Sequence, residues 1–95
     1  MDSAAQEYYM YILYSEGRDR YYVGSRDNID RRFKEHNSGK SKSTRSGRPW
    51  LLVYTEHYHT LSQALKKEYA IKRKKRRFYI EWLIKNQPGS QEFGL

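Results

Sequence analysis

The stretch DRYYVGSRDNIDRRFKEH, Asp19 to His36, changes its period halfway along. Arg20 to Gly24 is aromatic and β-branched, as a strand is. From Ile29 onward, Ile29, Phe33 and His36 or Asn37 trace one helical face. Asp27 stands where an N-cap is wanted, Asp30 brings negative charge to the first turn, and Gly39 is a natural stop. Packing accounts for Val23, Ile29 and Phe33. It does not account for Tyr22 or Arg32. Tyr22 alternates onto the same strand face as Gly24, and a glycine there leaves room for a close approach by backbone or ligand. Arg32 falls on the inward helical face, whereas Arg31 lies about 200° from Ile29, toward solvent. An inward arginine needs an anion, either a carboxylate or a phosphate. The plainer alternatives are a tyrosine at the core's edge and an arginine that snorkels.

Working outward, Tyr8 to Ser15 (YYMYILYS) reads as a strand, and the turn Glu16 to Asp19 pairs it with the next strand as a hairpin. After the first helix, Lys40 to Pro49 (KSKSTRSGRP) is a basic, serine-rich loop. Trp50 to Tyr58 is a third strand. Thr60 to Gln63 is a capping box that opens a long helix to about Lys75, and a further helical segment spans Phe78 to Lys85. The order is β-β-α-β-α-α, an α/β chain with a small three-stranded antiparallel sheet flanked by helices. Residues 1–7 are expected to be a flexible start, 8–86 the domain, and 87–95, with Pro88 and Gly89, a flexible tail.

Charge is the strongest compositional signal. The 95 residues carry 19 Lys and Arg against 11 Asp and Glu, a formal net charge of +8 and a pI near 9.8. Such a balance suits a polyanion. From Lys66 to Arg77 the chain is mostly basic, which is a solvated helix face or a track for phosphates. There is no cysteine, so disulfides, thiolate metal sites and cysteine nucleophiles are excluded. No stretch approaches the ~20 apolar residues of a membrane span, and the first residues lack a secretory pattern. The expected location is cytoplasmic.

On the long helix, Leu61, Ala64, Leu65 and Ile71 mark an apolar stripe, and Glu68 sits in its middle. A carboxylate there must be ion-paired, with Arg32 as one candidate, or bind a metal. His57 and His59 point the same way along the third strand, but two histidines alone make a weak metal signal.

Together these residues resemble the GIY-YIG nuclease family, in particular its small stand-alone members. Tyr22-Val23-Gly24 is close to the second half of the family's motif, and Tyr9-Met10-Tyr11 matches the first half loosely. Arg32, His36 and Glu68 fall at the positions of its helical arginine, its histidine or tyrosine one turn on, and its glutamate. The similarity covers about Tyr8 to Lys85. Two departures are visible: Ser25 and Arg26 stand where some members have a lysine, and no late asparagine matches. The resemblance implies a divalent-metal-dependent endonuclease with a place in DNA repair, acting on DNA ahead of RNA and without strong sequence specificity. Its catalytic residues would be Tyr11, Tyr22, Arg32, His36 and Glu68. Glu68 would hold Mg²⁺ or Mn²⁺, Arg32 would clamp a phosphate oxygen, Tyr22 would help take a proton from water, and Tyr11 would orient water or phosphate. Free tyrosine titrates near pH 10, so a tyrosine in that role needs a neighbouring cation. Lys40, Lys42, Arg45 and Arg48 in the loop, with Lys72 and Arg73 on the helix, would hold the nucleic-acid backbone. A monomer or weak dimer is expected. The alternative is a nucleic-acid-binding module of the same fold with little or no cleavage.

Overall fold

The computed structural model of the chain describes residues 7–74 and 76–87. Most of the two terminal segments expected to be flexible therefore lies outside the described residues. Strands β1 (Tyr8–Ser15), β2 (Arg20–Arg26) and β3 (Trp50–Tyr58) form one antiparallel sheet in the order β2-β1-β3. Helices α1 (Ile29–Ser38) and α2 (Lys42–Arg45) follow β2, and α3 (Leu61–Lys74) and α4 (Arg77–Lys85) follow β3. The expected order holds, with one addition. The serine-rich loop contains the short helix α2, too brief to show a helical period in sequence.

The central strand β1 is buried on both faces, so it is apolar almost throughout. Met10 and Ile12 point into a core with Val23, Tyr54, Ile71 and Leu83, on the side covered by α3 and α4. Tyr11 and Leu13 point the other way, into a second core with Trp50 and the flanking Tyr22, Ile29 and Phe33 of the α1 side. Trp50 and Tyr54 are four residues apart on β3, yet serve opposite cores. A register shift between Ile12 and Leu13 makes this possible, because Ile12 pairs with Tyr54 and Leu13 with Leu52, leaving Val53 as the extra residue of a bulge. Trp50 is fully buried and its indole N–H donates to the Thr44 carbonyl at 2.7 Å, which ties α2 to the sheet. Truncating such a side chain to alanine costs about 3–5 kcal/mol.

The ends of the elements follow local chemistry. Asp19 takes a left-handed conformation (φ 53°) in the hairpin turn and accepts from the Tyr14 hydroxyl and the Arg77 guanidinium. The N-cap of α1 is Asn28, not Asp27: the Asn28 side chain accepts from the Arg31 N–H at 3.0 Å. An amide oxygen caps as well as a carboxylate, and one residue of slack in the turn decides between them. Gly39 closes α1 at φ 86°. The Thr60–Gln63 capping box forms in both directions. Leu61, expected on the buried stripe of α3, is 43% exposed because it lies in the first turn, at the sheet's margin. Leu65 is only half-buried, so the buried face of α3 is Ala64, Glu68 and Ile71.

Candidate active site

The site assembles around the edge strand β2. Tyr11 comes from β1, Tyr22 from β2, and Arg32 and His36 from α1. Tyr11 pairs with Gly24 across the ladder, and its hydroxyl lies directly over that glycine. A Cβ at residue 24 would stand 2.7 Å from the Tyr11 oxygen, so only glycine lets the tyrosine lie there.

His36 is fully buried and bonded at both ring nitrogens. Nδ1 lies 2.9 Å from the Thr44 Oγ1 and Nε2 lies 3.2 Å from the Tyr11 hydroxyl. The Thr44 hydroxyl donates to the Ser41 carbonyl. Its oxygen therefore accepts from the Nδ1–H, which leaves Nε2 to accept from Tyr11. Burial and, next, the Arg32 charge push the His36 pKa down to about 4, so the ring is neutral at pH 7. Burial likewise pushes Tyr11 up to about 12, against the pull of Arg32. Tyr11 is thus held as a hydrogen-bond donor across the neutral range. The Tyr22 ring packs 4.7 Å from the His36 ring and edge-on to Trp50.

Arg32 is partly buried, with 27% of its side chain exposed against 61% for Arg31, as the helical geometry requires. Its Nη1 donates to Glu35 Oε1 at 3.1 Å. Burial works against its charge, but Glu35 and the Tyr11 and Tyr22 hydroxyls outweigh that and raise its pKa. Arg32 thus lies within electrostatic reach of both tyrosine hydroxyls, while its direct hydrogen bond goes to Glu35.

Glu68 approaches from the other side of β2. Among the described residues its ion-pair partner is Lys72, with Nζ 2.5 Å from Oε2, rather than Arg32. Its other oxygen accepts from the Ser25 hydroxyl. Ser25 is next to Gly24 on the edge strand, so the carboxylate is held one residue along β2 from the Tyr11–Gly24 pair. Its negative charge reaches Tyr11, where it favours the protonated phenol. The side chain of Glu68 is only 11% exposed.

Among the described residues no three His, Asp or Glu cluster as metal ligands. His57 lies near Glu7 and packs against the Tyr9 and His59 rings. The single carboxylate of Glu68 still suits Mg²⁺ or Mn²⁺. Mg²⁺ keeps several waters and takes one or two protein carboxylates plus substrate phosphates. Both present partners of Glu68 are exchangeable, one a hydroxyl and the other a half-exposed ammonium.

The basic residues flank this centre on two sides. Lys40, Lys42, Arg45 and Arg48 are exposed around α2, which Thr44 anchors to His36. Arg45 and Arg48 each donate through Nε to a backbone carbonyl, of Gly39 and Arg45 respectively. Lys72 and Arg73 are exposed on α3. Sequence reasoning had not assigned Ser25, Thr44 or Glu35 to the site. The alternation of β2 puts Ser25 on the α3 side and could have found it. Nothing in KSTR marks Thr44.

A chain with this sheet, these tyrosines, the α1 arginine and the α3 glutamate belongs to the GIY-YIG catalytic domain family, whose model matches residues 7–87. That domain family is a family of nucleases acting on nucleic acid. The chain is similar to small UPF0213 proteins, whose name states no activity. A Syntrophus aciditrophicus protein is 43% identical over 82 residues, covering 84% of this chain and 92% of that protein. A Streptococcus pneumoniae protein is 42% identical over 81 residues, covering 83% and 80%. Among solved structures, the solution NMR structure of a UPF0213 protein from Bacillus halodurans superposes with a TM-score of 0.55 at 33% identity, over 92% of this chain and 94% of that one.

Proposed function

We propose that the protein is a divalent-metal-dependent endonuclease that hydrolyses phosphodiester bonds in DNA without strong sequence specificity. The observation that carries this is the convergence of Tyr11, Tyr22, Arg32 and His36 around Gly24, with Glu68 on the adjoining Ser25. The Arg32 guanidinium presents fixed donors to a phosphate and stabilises charge that develops in the transition state. His36, neutral and fixed by Thr44, holds the Tyr11 hydroxyl in one orientation. Tyr11 keeps its proton and positions water or phosphate. The phenolate form of Tyr22 is then assigned to take the proton of the attacking water, becoming the neutral phenol. Glu68 would hold Mg²⁺ or Mn²⁺, and the chemistry such an ion supplies when bound is neutralisation of charge on the phosphate. The basic residues around α2 and on α3 hold the backbone on either side.

The test is incubation with a panel of duplex, branched and single-stranded DNA and matched RNA, with Mg²⁺, with Mn²⁺ and with chelator. Cleavage products that require the metal are expected, from DNA above all. Binding without cleavage across the whole panel would favour the binding-module alternative.

A further inference from the structure

Lys72 joins two features of the molecule. Its ammonium lies 2.5 Å from Glu68 Oε2, one helical turn back on α3. It also lines a groove of about 620 Å³ between β2 and the helices α3 and α4. The groove's floor includes Tyr21, Val23, Ile71 and Ile80, and its rim carries Arg20, Arg76 and Arg77 with the one carboxylate of Asp19. Arg77 is occupied by Asp19 and Glu81, whereas the described residues give the Arg20 and Arg76 side chains no carboxylate partner.

We infer that Lys72 is an internal counter-cation that holds Glu68 closed to metal until a nucleic-acid phosphate enters this groove and takes the lysine away. The inference rests on Glu68 as the metal anchor. The ammonium and a divalent cation compete for the same carboxylate, since two cations cannot share one nearly buried oxygen pair without repulsion. Half of the Lys72 side chain is exposed, and its flexible stem lets the head leave. Leaving is unfavourable in the free protein, because turning from Glu68 into the groove brings the ammonium toward Arg20 and Arg76. A phosphate in the groove reverses that sign: it neutralises the arginines and offers Lys72 a new partner. Nucleic acid and metal therefore bind cooperatively, and each must strengthen the other by the same factor. The protein would carry little metal until its substrate is in place.

The experiment measures Mn²⁺ binding by electron paramagnetic resonance, alone and with a short phosphorothioate-linked DNA that resists cleavage. The proteins are the wild type, Lys72→Met, Lys72→Gln, the charge-matched control Lys66→Met, and Glu68→Gln. Lys66 is exposed on the same helix. For the wild type, DNA should tighten Mn²⁺ by about tenfold, within the usual range of coupling between sites. Both Lys72 variants should bind Mn²⁺ about tenfold tighter than the wild type without DNA, and DNA should then add little. Lys66→Met should stay near the wild type. If the Lys72 variants bind Mn²⁺ no more tightly than Lys66→Met, while Glu68→Gln abolishes binding, the gating role is overturned and the metal anchor stands. If Glu68→Gln binds Mn²⁺ like the wild type, the anchor itself is wrong and the gate falls with it.

Discussion

Arg31 and Arg32 are neighbours in sequence, and both lie within reach of Glu35, yet the helix gives them different tasks. Arg32→Ala should lower cleavage by roughly 10²-fold, the scale of a lost transition-state donor, while Arg31→Ala should only weaken binding slightly. Equal effects in a cleavage assay would mean that the assigned faces are wrong. His36 supports a different measurement. Its pKa falls from 6.5 in the unfolded chain to about 4 in the folded one. Between those pH values the unfolded chain holds a proton that the folded chain refuses, so stability must fall as pH falls through that window. The melting temperature should drop by several degrees from pH 7 to about pH 4, and His36→Gln should flatten that part of the curve. Arg32 was legible in sequence because helical spacing forces it inward, whereas spacing alone left His36 open between joining that site and facing solvent, and only the family resemblance placed it there. Thr44, which fixes the His36 tautomer, was not legible. It acts through a tertiary bond across a loop, and no local period announces such a contact.

At the scale of elements, β2 is both an edge strand and the place where the two sheet faces exchange groups. Gly24 is what permits this. Gly24→Ala places a methyl against the nearly buried Tyr11 ring, which has little room to retreat. It should cost about 1–3 kcal/mol and reduce cleavage, because the Tyr11 hydroxyl must move. Gly17→Ala, in the open hairpin turn with nothing near its added carbon, should leave the melting temperature almost unchanged. Equal melts for the two variants would remove the steric argument. The strands and long helices could be read from alternation and capping residues, down to the Thr60–Gln63 box. The β3 bulge could not. WLLVYTEHY reads as one uninterrupted strand, and only the pairing with β1 shows that Val53 is extra and that Trp50 and Tyr54 face opposite cores. The short helix α2 escaped for a related reason: four residues make one turn, and Trp50 and His36 hold it in place more than its own sequence does.

The whole molecule is a small basic body with a net charge of +8, and none of its described helices is long and apolar enough to cross a membrane. Its affinity for DNA should depend strongly on salt, falling by about tenfold or more between roughly 50 and 200 mM as counterions are released. A flat titration would contradict the basic tracks around α2 and α3. Charge alone describes a binding protein, and Glu68 is what separates an enzyme from one. A carboxylate on the buried face of α3, bonded to Ser25 of the edge strand, serves neither packing nor phosphate affinity. The most direct measurement therefore compares wild type and Glu68→Gln for DNA binding and for Mg²⁺-dependent cleavage in the same preparation. The expected result is cleavage lost while DNA binding persists or tightens, since one negative charge near the phosphates is gone. A Glu68→Gln protein that still cleaves with Mg²⁺ at the wild-type rate would contradict the account.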